Sequence, residues 1–290
     1  MIAVTGATGN VGRPLVQALA EAGAQVTAVS RTAVSRAAAE LPPGVRHRVA
    51  DLADPGSLRA ALTGAEALFL LIAGSGLELD PDALLGAAKA AGVRRVVLQS
   101  SQIVGTRPDF PSHAGLRAFE EAVRQSGLDW TILRPGGFAS NAYLWAEPVR
   151  AHRTVAAPFG DVGLPVVDPA DIAAMAAAAL LGDRDGHGHG DGHAGQTYEL
   201  TGPAAVSPRE QAQAIGAALG EPVRFLPQTP AEARAQLLHF MPEPVVDGTL
   251  EILGRPSAAE QRVSPDIERV LGRAARPFAD WAERNAAVFR

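Results

Sequence analysis

Apolar positions in the first half of the chain come as short runs, and the stretches between them carry helical spacing. Ile2 to Thr5 reads as a strand. Val11 to Ala22 places Leu15, Val16, Leu19 and Ala22 on one side of a helix, and Gly23 stands at its left-handed end position. The alternation continues, with strands expected over Gln25 to Val29, Val45 to Val49, Ala67 to Ile72, Arg94 to Ser100 and Trp130 to Leu133. Helices are expected over Ala33 to Glu40, Pro55 to Leu62, Pro81 to Ala91 and His113 to Gln125. Asp54-Pro55 is a helix start signal. Ala67 to Ile72 is apolar throughout, as suits a parallel strand covered on both faces. Six strands separated by helical segments predict an α/β protein with a doubly wound parallel sheet over residues 1–135.

Beyond Pro135 the pattern is less regular. Phe138 to Ala146 reads as a short helix, Val162 to Val167 as an extended piece and Pro169 to Leu181 as an alanine-rich helix. A strand over Thr197 to Leu200 precedes a helix over Pro208 to Leu219, with Ser207 as its N-cap. An extended piece over Pro222 to Leu226 and helices around Ala231 to Leu238, Pro244 to Leu253 and Pro277 to Phe289 complete the chain. Residues 136–290 are expected to form mainly a smaller C-terminal α+β substrate lobe, with 162–182 returning to the core.

The first strand-to-helix joint carries the chemistry. Gly6, Gly9 and Gly12, spaced three apart with Thr8, Asn10 and Val11 between them, follow the strand directly and open the helix. Such glycines permit a tight turn and close backbone approach, and the helix start aims unpaired N–H groups at a dinucleotide diphosphate. A Rossmann-type nucleotide site is the expectation. The second strand ends at Ser30-Arg31-Thr32, with Arg36 a helical turn on, where an acidic residue would read the 2′-hydroxyl of NAD. A guanidinium there favours NADP(H) over NAD(H). Asp51 and Leu52 beyond the third strand are placed to meet the adenine, although Asp51 suits a turn into Pro55 equally well. Ala73 and Gly74 end the fourth strand beside the cofactor; Ser100, Ser101 and Gln102 end the fifth at the carboxyl edge, where open parallel sheets bind ligands.

Composition narrows the class. A formal net charge of −5 and a sequence pI near 5.8 argue against nucleic acid and anionic membrane surfaces. The chain has no cysteine, which excludes disulfides, thiolate metal sites and thiol nucleophiles. No secretory leader and no bilayer-spanning run is read, so a cytoplasmic protein is expected, as a monomer or homodimer. The stretch Asp185 to His193 alternates glycine with histidine and aspartate, which are metal-ligand types. Its glycines supply no rigidity, and a flexible exposed loop with no functional metal is the reading adopted.

Thr5 to Gly12, Leu98-Gln99-Ser100-Ser101, Ser126 to Phe138, Asn141 and Gly195 to Pro203 together resemble the NmrA-like group of atypical short-chain dehydrogenase/reductases, which includes NADPH-dependent quinone reductases. The resemblance covers nearly the whole chain. It implies a Rossmann core, an NADP-type cofactor also touched by Pro135 and Phe138, and a substrate cleft beside the smaller lobe. The chain departs from related reductases at their Tyr-x-x-x-Lys helix, where it offers His113-Ala114-Gly115-Leu116-Arg117, with Glu120 a turn later. Neither Tyr143 nor Tyr198, its two tyrosines, falls at that position. Arg117 cannot give up a proton at neutral pH and would hold ribose or phosphate. His113 is the candidate proton donor, or else a surface residue at a helix start. Gln102, His113, Phe138, Asn141, Trp145 and Phe240 are the candidate substrate contacts, with Tyr143, Phe159 and Met241 as further aromatic or apolar wall. The leading expectation is hydride transfer from NADPH to an apolar quinone, enone or ketone. A non-catalytic NADP sensor and a non-redox isomerase or cyclase on the same fold are the alternatives.

Overall fold

The computed structural model describes residues 1–31, 41–74, 76–182 and 192–290. The chain opens with β1 (Ile2–Thr5), α1 (Gly12–Glu21), β2 (Val26–Ser30) and β3 (Arg46–Val49). Next come α2 (Pro55–Ala61), β4 (Ala67–Leu71), α3 (Pro81–Ala90) and β5 (Arg95–Gln99). α4 (Gln102–Thr106), α5 (Ala114–Gln125) and β6 (Asp129–Pro135) follow. Past β6 run α6 (Ala146–His152), β7 (Thr154–Ala157), α7 (Pro169–Leu181), β8 (Gln196–Leu200), α8 (Pro208–Leu219) and β9 (Arg224–Pro227). The last helices are α9 (Pro230–Leu237), α10 (Glu243–Gly254), α11 (Ala258–Gln261), α12 (Asp266–Leu271) and α13 (Phe278–Arg284). The helix expected over Ala33 to Glu40, with Thr32 and Arg36, and the Asp185 to Asp191 stretch lie outside the described residues.

The main sheet has the order β3-β2-β1-β4-β5-β6-β8, and β1 to β6 pair in parallel. β1 pairs with β2 on one side and β4 on the other, with Ile2 opposite both Val26 and Ala67. The strand order therefore reverses between β1 and β4, and a parallel sheet opens a crevice at the carboxyl ends of such a pair. On one face Leu68, Leu70, Val96, Leu98 and Ile132 pack with Leu58 of α2, Leu84 and Leu85 of α3, and Phe119 and Val123 of α5. α1 and α7 pack against each other, and α7 also lies on β4, β5 and β6. Buried Ala173, Ala176, Ala177 and Ala179 allow that close fit.

The structure divides into two compact units. The first comprises Met1–Pro108, His113–Pro135 and Pro169–Glu199. It takes in α7 and nearly all of β8, which lies beyond β6 at the sheet edge. Thr131 Oγ1 donates to the His193 carbonyl (2.8 Å) and Gly195 N to the Trp130 carbonyl (2.7 Å), so the chain past residue 192 is fastened along β6.

The second unit, Asp109–Ser112, Gly136–Asp168 and Leu200–Arg290, has a core of its own. Val149, Val155, Ala212, Ile215, Phe278, Trp281 and Phe289 form it, beside the parallel pair β7–β9. Ser207 caps α8 in a reciprocal arrangement with Glu210, satisfying two orphan donors at the helix start. The short helix expected over Phe138 to Ala146 is a 3-10 turn over Ala139–Trp145 that runs on into α6.

Candidate nucleotide site

The site grows from the end of β1. Thr5 Oγ1 donates to the Phe69 carbonyl (3.1 Å) and accepts from Leu71 N (2.8 Å), tying β1 to β4 where the strand order reverses. Gly6 has φ +64°, a conformation that costs a side-chain-bearing residue about 1–2 kcal/mol. Gly9 N then donates to the Gly6 carbonyl (3.0 Å), and Arg13 N to the Gly9 carbonyl (3.0 Å). A Cβ on Gly12 would lie 2.1 Å from Gly6 O and 2.7 Å from Ala7 Cα. The helix start is thus pressed onto the strand's exit with no room for any side chain at position 12.

No side chain caps the start of α1, and its first turn holds no acidic residue. Its leading N–H groups and the positive end of the helix dipole suit an anion. Arg13, exposed in that turn, donates through Nη2 to the Thr8 carbonyl (3.4 Å). A cation beside the positive end of a helix is unfavourable by itself and favourable once a diphosphate lies between. In the sequence, the one signal for Arg13 is its place directly after Gly12. These observations fit a dinucleotide.

Along the carboxyl edge, the Ser30 hydroxyl meets His47 Nε2 of β3 at 2.8 Å, and Arg31 is exposed just past β2. Asp51 Oδ1 accepts from Ala53 N (3.0 Å) and Asp51 N donates to Ser57 Oγ (3.0 Å), so this residue shapes the turn into α2. Leu52 is half-buried against the core. Ala73 and Gly74 are exposed past β4, with Gly74 at φ +75°.

At the end of β5 the three candidates part company. Ser100 is buried and donates to Glu120 Oε1 of α5 (2.6 Å), pointing into the unit. Ser101 caps α4 by accepting from Ile103 N (3.3 Å), and Gln102 is buried in that helix's first turn. Glu120, 1% exposed, also accepts from Arg134 Nε (2.9 Å), Arg134 Nη2 (2.6 Å) and Arg124 Nη2 (2.8 Å). Burial pushes the Glu120 carboxyl up, but the hydrogen bonds from Arg134 and Ser100 and the Arg134 charge outweigh it and hold it below the usual range. Four donors occupy its two oxygens, so it ties β5, α5 and β6 together and moves no proton. This role is not legible in the sequence, because Arg134 and Ser100 lie 14 and 20 residues from Glu120.

His113 is half-buried at the start of α5. Burial, and then the Arg117 charge, lower its pKa, so the neutral imidazole prevails at pH 7. Arg117 is half-buried one turn into α5. Pro135 is buried at the end of β6.

The remaining candidates belong to the second unit. Phe138 is half-buried and makes an isolated bridge to Val167. Asn141 is exposed, and Trp145 is half-buried against that unit's apolar core. Phe240 is 69% exposed past α9, with Met241 half-buried beside it. Tyr143 packs on Trp281 (ring centroids 5.0 Å apart), and its hydroxyl donates to Asn285 Oδ1 (2.6 Å). Phe159 has φ +53°, and its ring lies against Gly254. Tyr198 is buried in β8, with its hydroxyl 2.9 Å from His193 Nδ1. Both tyrosines are thus engaged inside their own units. Among the described residues no group of three or more histidines, aspartates and glutamates could hold a metal ion, and no helix is long and apolar enough to cross a membrane.

A family of NAD(P)H-binding proteins matches residues 6–182, and the chain belongs to it. The (4-alkanoyl-5-oxo-2,5-dihydrofuran-3-yl)methyl phosphate reductase of Streptomyces griseus is 37% identical, over 100% of this chain and 99% of the relative. The NAD(P)H azoreductase of Xenophilus azovorans is 35% identical over 100% and 99%. Among solved structures, the NADPH-dependent quinone oxidoreductase of Escherichia coli, complexed with NADPH, superposes with a TM-score of 0.78 at 26% identity, covering 98% of this chain and 99% of that one. The protein is an NAD(P)H-dependent oxidoreductase.

Proposed function

We propose that the protein is an NADP(H)-preferring reductase that passes hydride to an apolar, conjugated acceptor of the quinone, enone or ketone type. The observation that carries the reading is the Gly6–Gly12 turn, locked onto an uncapped helix start with Arg13 beside it. The coenzyme, when bound, supplies the hydride. The loop N–H groups and Arg13 hold the diphosphate. Arg31, with no carboxylate at the end of β2, meets the 2′-phosphate; a charge-assisted pair of that kind is worth about 1.5–3 kcal/mol. Arg117 steadies ribose or phosphate.

Conjugated acceptors spread the developing negative charge themselves, which lightens the demand for a strong acid. That agrees with a His113 held neutral by burial and by Arg117, which orients an acceptor oxygen through its N–H. Gln102, at the carboxyl edge of the sheet, is assigned to the acceptor's surroundings. The names of the relatives, an azoreductase and reductases of a quinone and of an oxo-dihydrofuran, support a planar, conjugated class.

The experiment titrates NADPH and NADH against wild type and Arg31→Asp, then offers quinones, enones and ketones to the NADPH-loaded wild type. NADPH oxidation with at least one acceptor is expected, with NADPH affinity lowered at least about fivefold in the variant. Tight coenzyme binding without oxidation by any acceptor would overturn the catalytic reading and leave a sensor. Equal NADPH affinity in Arg31→Asp would remove Arg31 from the site.

A further inference from the structure

The contact between Ser30 and His47 sets an imidazole against the hydroxyl that ends β2. Ser30 is the last residue of β2, and its hydroxyl lies 2.8 Å from His47 Nε2. A hydroxyl can donate one hydrogen bond and accept others, whereas an imidazole nitrogen does one or the other according to its protonation. When Nε2 is bare, the Ser30 O–H points at it, and Ser30 turns only lone pairs to other partners. When Nε2 carries a proton, in the charged ring or in the neutral Nε2–H tautomer, the ring donates to Ser30 Oγ and the serine O–H no longer points at the ring. A ribose 2′-hydroxyl is served by an acceptor. A 2′-phosphate needs donors and positive charge. The end of β2 is where a Rossmann-type site distinguishes the two.

Resting on the nucleotide-site reading above, we propose that His47 is a positioning residue for coenzyme choice. Through Ser30 it switches the end of β2 between an acceptor suited to NAD(H) and a donor suited to NADP(H). His47 is half-buried, so it stays partly open to solvent.

Its charged neighbours among the described residues can be named element by element. Arg31 follows β2. Arg46 and Arg48 flank His47 on β3 and alternate to the other side of the strand. Arg48 Nη1 is drawn off to the Ala60 carbonyl at the end of α2 (2.6 Å). Arg59 lies in the last turn of α2, and Asp51, past β3, is held by its own turn. The surrounding charge is mostly positive, so a bound 2′-phosphate is the group that would stabilise a protonated ring, and phosphate binding should draw a proton onto His47.

The test measures dissociation constants of NADPH and NADH by calorimetry from about pH 5.5 to 8 for wild type, His47→Leu and Ser30→Ala. The phosphate's own second ionisation, near 6, is common to all three proteins, so only the difference between their curves belongs to the pair. Relative to His47→Leu, the wild-type preference for NADPH should grow about fivefold as pH falls across this range. NADPH binding near neutrality, measured in buffers of different ionisation enthalpy, should take up more protons in wild type than in His47→Leu. Ser30→Ala keeps the imidazole and breaks the relay, so its preference should follow His47→Leu. Superimposed curves for all three proteins, with both coenzymes bound, would overturn this inference and leave the nucleotide site standing. Failure of wild type to bind either coenzyme would overturn the site reading itself.

Discussion

An added methyl at position 12 would sit 2.1 Å from the Gly6 carbonyl oxygen, and both partners are main chain that cannot swing aside. Gly12→Ala should therefore push α1 off the end of β1, at a cost of about 1–3 kcal/mol typical of forced overpacking. The expected outcome is a lowered melting temperature together with loss of affinity for both coenzymes, measured by scanning calorimetry and titration. A variant that melts lower but binds NADPH unchanged would separate the fold from the cradle. At this scale the sequence was readable where the determinant is local. Three glycines, a strand and a helix lie within about one dozen residues, and their spacing states the turn. Ser100 shows the opposite case. It sits at the carboxyl edge as expected, yet its hydroxyl faces Glu120, because which side of β5 faces α5 depends on packing with partners far along the chain. Tyr143 likewise reads as a cleft aromatic until Trp281, 138 residues later, arrives to cover it.

Elements β5, α5 and β6 are bolted together by one carboxylate. Breaking a buried, fully bonded pair from one side typically costs about 3–5 kcal/mol, since the remaining charge stays desolvated. Glu120→Gln should lower stability at pH 7 by about that amount in urea unfolding. The pH dependence has a definite sign. The folded-state pKa of Glu120 lies below its ordinary value, so its contribution is complete above about pH 4.5 and is lost as pH falls through the folded value. The gap between wild type and Glu120→Gln should close over that acid range, and a gap unchanged down to strong acid would contradict the assignment. Helix starts were legible for a related reason. Asp54 and Asp80 each accept two N–H groups ahead of a proline, and Ser207 pairs with Glu210, all within a few residues. α4, only five residues long, and α6 were not. α6 emerges from a 3-10 turn and stops at Arg153 with φ +51°, where no glycine marks the end.

Across the whole molecule, the doubly wound parallel sheet follows from the alternation seen in the first 135 residues, whereas the family resemblance rests on motifs that run on to Pro203. The edge strand β8 does not follow from that alternation, because Thr197 to Leu200 reads the same whether it pairs with β6 or with a sheet of its own. α7 packs on α1 and on three central strands, so the first unit is incomplete without residues 169–199. A fragment of residues 1–135 should fail to unfold cooperatively and should bind no NADPH, by circular dichroism and calorimetry. A fragment that melts sharply would show that the missing pieces are accessory. This discontinuity also bears on biosynthesis. At about 5–20 residues per second, a ribosome needs roughly 3–13 s to pass from the end of β6 to the end of β8. Throughout that interval the bare back of the sheet and the apolar stripe of α1 face the crowded interior of the cell without their alanine-lined cover. Slow codons in that span, or scarcity of chaperones that shield nascent chains, should therefore depress the yield of active protein more than the same delay placed after residue 200.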